Sequence, residues 1–174
     1  GSSWLAPDVA ILDPSLLLSL PPKLTAATGL DAITHGIEAF VAANTNSVAT
    51  DALCLEALRL LFDNLPRAFK NGDDMEARSA TLVASTMAGI AFSNSGVGVI
   101  HALAHSVGAM FSTHHGMTNG VFLPYGMEFN LPQVAPQYAR IARYLELEGV
   151  AGLDQTAAAE LLIKAVRQLL KTLS

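Results

Sequence analysis

The chain has 174 residues and a net charge of −5, with 51% of its residues hydrophobic and only 14% charged. That length supports one well-buried core and gives no sign of two domains. The acidic balance, with no clustered Lys and Arg, excludes a nucleic-acid partner, and without an apolar run of about 18 residues no membrane span is expected. A mean hydropathy of +0.40 is high for a free-standing domain. Either much of the surface meets another surface, or the chain is a piece of something larger.

Gly1–Ser3 reads as a remnant of an expression vector, which leaves 4–174 as the domain. "VAIL" is rich in β-branched residues and stops at Asp13-Pro14, which predicts a brief strand, and Pro21-Pro22 closes a leucine-rich turn. Helical spacing runs from Thr25 to Val41. It resumes from about Val48 to Phe62, with Pro66 near the end or in the turn beyond. "NGDDMEARSATLVASTMAGIAF" opens with a turn, offers Asp73 or Asp74 as N-cap, and runs to about Phe92 as a small-residue helix. Small residues permit close backbone approach, so this helix is expected to be central. "SNSGVGV" breaks the chain before a helix from Val99 to about Phe111. "HHGMTNG" reads as a loop, and "LPYGMEFNLPQ" as irregular before the helix "APQYARIARYLEL". The last amphipathic helix begins at an Asp154 cap. The expectation is one all-α domain with a short extended lead-in.

The single cysteine, Cys54, excludes an internal disulfide and suits a reducing, cytoplasmic setting. It lies in the amphipathic run "DALCLEALRLLF" and is read as a buried, inert thiol. No secretory signal is expected.

The histidines stand out. Four of the five fall between His101 and His115, and the fifth, His35, follows Asp31 by four residues. Asp31 and His35 therefore share a helix face, about 6 Å apart along the axis, as two ligands of one cation would. The same spacing also makes an ordinary surface pair. His101 and His105 repeat the interval: they could chelate together, or one could be a ligand and the other its neighbour. On a continuous helix His115 would stand about 21 Å from His101, so the two can share an ion only if the helix ends between them. "FSTHHG" offers such an ending. One carboxylate with two or three imidazoles suits Zn²⁺ or Fe²⁺, and not Ca²⁺ or Mg²⁺.

"LPPKLTAATGLDAITHGIEAFV" followed by "GVIHALAHSVGAMFSTHHGMTNGVFLPYGMEFN" resembles the iron-containing (group III) alcohol dehydrogenase family, which is related to glycerol dehydrogenase and dehydroquinate synthase. The resemblance covers nearly the whole chain. It implies a helical, bundle-like C-terminal domain that holds Fe²⁺, sometimes Zn²⁺, beside a separate α/β domain that binds NAD(P). It further implies that Asp31, His35, His101 and His115 are the metal ligands. His105 becomes a catalytic and cofactor-facing histidine that does not bind the metal, and Gly116 gives the turn room. His114 stands where the family has another residue, and it is expected to point outward. Glu38 matches the family's "EA", with a salt bridge or cap as its expected role.

No glycine-rich nucleotide loop occurs. Gly96-x-Gly98 is followed by Ala102 and leads into the histidine helix instead of following a strand. The chain is therefore expected to be the metal-binding half of an NAD(P)-dependent dehydrogenase, inactive without its nucleotide domain and acting on a small alcohol or aldehyde. The alternative is a helical metal-binding or interaction module without redox chemistry. A homo-oligomer is compatible with the apolar composition, as are faces that the rest of the protein covers.

Overall fold

The computed structural model describes residues 7–43 and 45–174. Six α-helices make up the described fold: α1 (Pro22–Val41), α2 (Val48–Lys70), α3 (Met75–Ser95), α4 (Val99–Phe111), α5 (His115–Tyr144) and α6 (Gln155–Thr172). No strand occurs among the described residues. The expected strand at 9–12 is irregular chain with Val9 and Ile11 exposed, followed by a short 3-10 turn at Pro14–Leu17. β-propensity has no edge to pair with there, so it goes unused.

The centre of the fold is α1. Thirteen of its residues are buried, from Thr25 to Phe40, and they cover all of its circumference but one stripe, along which Leu24, Thr28, Asp31 and His35 follow at helical intervals. A helix apolar over most of its surface must be largely enclosed, and α1 packs against α2, α3, α4 and α5. Ile33, Ile37 and Phe40 meet a core completed by Leu58, Leu61 and Leu65 of α2, Leu123, Met127 and Ile141 of α5, and Leu162 of α6. The small-residue helix α3 is not the central one. It buries a single face, Ala84, Ala88 and Ala91, while Val83 and Ile90 remain exposed.

Local chemistry sets most helix starts. Ser47 and Thr50 form a reciprocal capping box on α2, Asp74 (not Asp73) accepts from the Ala77 amide on α3, and Asp154 accepts from Ala157 on α6. Two expected breaks are helical instead. The helix α2 runs on through Pro66 because Leu65 and Ala68 on either side of it are buried. Likewise α5 starts at His115 and carries Pro124 within it, kinking only at Val134 (φ −126°, ψ 19°) ahead of Pro136. Burial of Leu123, Pro124, Gly126 and Met127 against α1 and α4 overrides what their propensities suggest.

Cys54 is fully buried, and desolvation pushes its thiol up to about 12. It should stay silent to an aromatic disulfide reagent in the folded protein and react with one equivalent on denaturation; prompt native-state labelling would contradict this burial.

Candidate metal centre

Three helices bring the titratable groups together. Asp31 and His35 lie one turn apart on the buried helix α1, His101 lies at the start of α4, and His115 is the first residue of α5. Between the last two, Ser112 closes α4 in a left-handed conformation (φ 53°, ψ 38°), and the chain reverses within three residues. His101 and His115 rings thus stand 5.4 Å apart between centroids, where a continuous helix would hold them about 21 Å apart.

The shared focus is the Asp31 carboxylate. Its Oδ1 lies 3.2 Å from His115 Nε2 and 3.6 Å from His101 Nε2. Asp31, His101 and His115 each offer one ligand atom within 4.8 Å of the others. His35 reaches the same carboxylate through the other oxygen, its Nε2 3.5 Å from Oδ2, without joining that three-way set. Its ring is sandwiched, stacked on His101 at 4.2 Å and on Phe92 at 4.0 Å. His105 is exposed, with its ring stacked 5.2 Å from that of His115, and it brings no atom to the carboxylate. His114 is exposed and also lies outside the set.

Glu38 is fully enclosed and accepts at both oxygens. Oε1 takes the amide of Ile100 at 2.7 Å, which caps α4 from a different helix, and Oε2 pairs with His101 Nδ1 at 2.6 Å. With Nδ1 held by that carboxylate, Nε2 is turned toward Asp31, and it is the nitrogen left for an ion once its proton is displaced. At Gly98, which opens α4, an added Cβ would come 2.8 Å from Glu38 Oε1, so glycine gives the carboxylate its access.

The electrostatics follow from this crowding. Burial opposes the charge on Asp31, but the nearby imidazoles of His101 and His35 and the hydrogen bond from Asn119 outweigh it and hold the carboxyl well below the usual range. Burial also opposes a charged His101, yet Asp31 and Glu38 together push that ring up to about 9. His115 moves the other way: desolvation and the neighbouring imidazoles outweigh Asp31 and lower it.

This donor set fits a divalent transition ion. His101 Nε2 is buried 3.6 Å from the Asp31 carboxylate with no hydrogen-bond partner, a gap that an ion bound to both would close. One carboxylate and three imidazoles form a mixed N/O shell of the kind that Zn²⁺ and Fe²⁺ accept and that Ca²⁺ and Mg²⁺ do not favour. The hydrogen bond from His101 to Glu38 is the usual outer support of a ligating imidazole.

Two neighbours escaped the sequence reading. Phe92 stands nine residues before His101 with no pattern linking it to His35. Asn119 donates to Asp31 from one turn beyond His115, and the i, i+4 spacing to a candidate ligand was its only signal.

Comparison with known proteins shows the family to which the chain belongs. The family description "Fe-containing alcohol dehydrogenase family, C-terminal" matches residues 25–174. The chain is 44% identical over 164 residues to an NAD-dependent methanol dehydrogenase of Bacillus methanolicus, covering 94% of this chain and 42% of that protein. It is 42% identical over 168 residues to a 1,3-propanediol dehydrogenase of Citrobacter freundii, covering 96% of this chain and 43% of that one. The crystal structure of a 1,3-propanediol oxidoreductase superposes with a TM-score of 0.90 at 38% identity, over 93% of this chain and 42% of that chain. The chain thus spans well under half the length of the relatives it matches.

Proposed function

Since the chain belongs to the iron-containing alcohol dehydrogenase family and matches its C-terminal part, we propose that it is the metal-holding half of an NAD(P)-dependent alcohol dehydrogenase. The observation that carries this reading is the convergence of His101, His115 and His35 on the single carboxylate of Asp31. These four residues would hold Fe²⁺ or Zn²⁺. A divalent ion held there supplies Lewis acidity to an alcohol or carbonyl oxygen during hydride transfer. Asp31 contributes the one anionic ligand and leaves the site net positive. Glu38 fixes the His101 tautomer, and the Phe92–His35–His101 stack restrains two rings at once. His105 stands at the exposed rim beside His115, where it can orient the substrate hydroxyl, carry its proton and face the nicotinamide.

The nucleotide would be bound mainly by a separate α/β domain. Exposed Leu103, Met110 and Phe111 of α4 lie on the same helix as His101 and suit the face such a domain covers. The names of the relatives, a methanol and a 1,3-propanediol dehydrogenase, favour short primary alcohols or diols as substrates.

The test is anaerobic reconstitution of the complete protein, nucleotide-binding half included, with Fe²⁺ or Zn²⁺, followed by assay with NAD⁺ and NADP⁺ on methanol, 1-propanol and 1,3-propanediol. One ion per chain and nucleotide-dependent oxidation are expected. A folded protein that takes up no ion would overturn the reading. Uptake without turnover by the complete protein would favour a metal-binding module instead.

A further inference from the structure

Asn119 is completely buried on α5, one helical turn after His115. Its Nδ2 donates to Asp31 Oδ1 at 2.6 Å and lies 3.1 Å from His115 Nε2. A single amide nitrogen, with two hydrogens, therefore touches a side chain from each of two helices. Its Oδ1 is buried with no partner. Turning the amide over would set that oxygen against the carboxylate, so the donor orientation is fixed by Asp31. A buried amide with one unsatisfied atom is a poor space-filler, because leucine has the same branched four-atom shape and leaves nothing unpaired. The polar group is there for its donors.

Resting on the assignment of Asp31 and His115 as ligands, we propose that Asn119 is a positioning residue for the metal centre. Its amide locks the Asp31 carboxylate in one rotamer. In the metal-free site the same nitrogen also rests against His115 Nε2, on a side chain that is 44% exposed, and keeps that ring turned inward until an ion takes the Nε2 lone pair. Asp31 and Asn119 are 88 residues apart in sequence, so this one bond ties the α1 ligand to the α5 ligand. Outer groups of this kind typically change metal affinity by about 10–100-fold when lost.

The test uses Asn119→Leu, Asn119→Ser and Asn119→Ala in the purified protein. Leu keeps the branched shape and loses the donor, Ser keeps a donor and loses the shape, and Ala loses both. The readouts are Co²⁺ and Zn²⁺ dissociation constants and the visible absorption of the Co²⁺ form, with thermal unfolding of the metal-free proteins as a control. The expected order of affinity is wild type, Ser, then Leu and Ala together. The Leu variant should bind about 10–100-fold more weakly, with an altered Co²⁺ spectrum. An order that follows volume, with Leu nearest wild type, or a Leu variant within threefold of wild type, overturns the proposal. So does tighter binding on loss of the amide. If the Leu variant does not fold, the Ser-against-Ala comparison decides alone. Asp31→Asn separates the two levels. Wild-type Co²⁺ affinity in that variant removes the ligand assignment itself, whereas lost binding there with retained binding in Asn119→Leu removes only the role of Asn119.

Discussion

Asp31→Asn is expected to weaken Fe²⁺ or Zn²⁺ binding by about 100- to 1,000-fold, and to abolish alcohol oxidation at ordinary metal concentrations. A divalent ion in a four-ligand protein site is bound with roughly 10–16 kcal/mol, so an even share per ligand is about 2.5–4 kcal/mol, and each 1.4 kcal/mol is about tenfold. An even share understates this residue, which is the only anion among the proposed ligands and the one to which all three imidazoles turn. The substitution is nearly isosteric and falls on the partly exposed stripe of an otherwise buried helix, so the backbone should hold. Far-UV circular dichroism of the metal-free pair checks that the loss is local, and competition against a chromophoric chelator measures it. Affinity within tenfold of wild type would mean that the carboxylate is not a ligand.

Gly116→Ala should be the most destabilising single methyl in the protein. A Cβ at Gly116 would overlap the carbonyl oxygen of Ala27 and stand 2.7 Å from its carbon. Both atoms belong to the backbone of the central helix and cannot rotate away as a side chain could. Overpacking commonly costs 1–3 kcal/mol, and a backbone collision belongs at or above the top of that range, about 3 kcal/mol. For a domain of this size that is a fall of roughly 6–12 °C in Tm. Because His115 is the adjacent residue, any outward shift of α5 also carries a proposed ligand away from Asp31, and metal affinity should drop in parallel. Gly89→Ala is the matched control. It lies inside α3 where an added Cβ meets nothing within 4 Å, so it should raise stability by about 0.5–1 kcal/mol through helix propensity alone. Calorimetry on the two variants tests both signs, and equal melting temperatures would contradict the packing described.

What the sequence made legible was of one kind. Periodicity found α4 from Val99 to Phe111, and cap chemistry found the starts of α3 and α6, because both depend on residues three or four apart. The i, i+4 pair Asp31–His35 was visible for the same reason, and the turn that brings His115 back to His101 was marked by its polar, Gly-ended stretch. The helicity of 123–133 was not visible. Pro124 and Gly126 argue for a break until α1 and α4 are present to bury them, and nothing local announces that. Glu38 capping α4 across 62 residues and Asn119 reaching Asp31 across 88 depend on which helices meet. A pattern read along one chain does not contain that information, and family resemblance supplied the ligand set where spacing left several pairings open.

The distribution of the proposed ligands, two on α1 and one each on α4 and α5, has a consequence for biosynthesis. No single helix offers more than two donors, and the Asp31 carboxylate meets the donors of α4 and α5 only once those helices have docked on α1. A ribosome-bound chain that has emitted α1 alone holds a weak chelating pair inside a segment that cannot yet be enclosed. The ion therefore cannot template the early folding of this domain. On the proposed assignment an ion would enter a scaffold already assembled, by the half-exposed His115 edge, so the supply of iron or zinc at that later moment would bear on which ion is taken up.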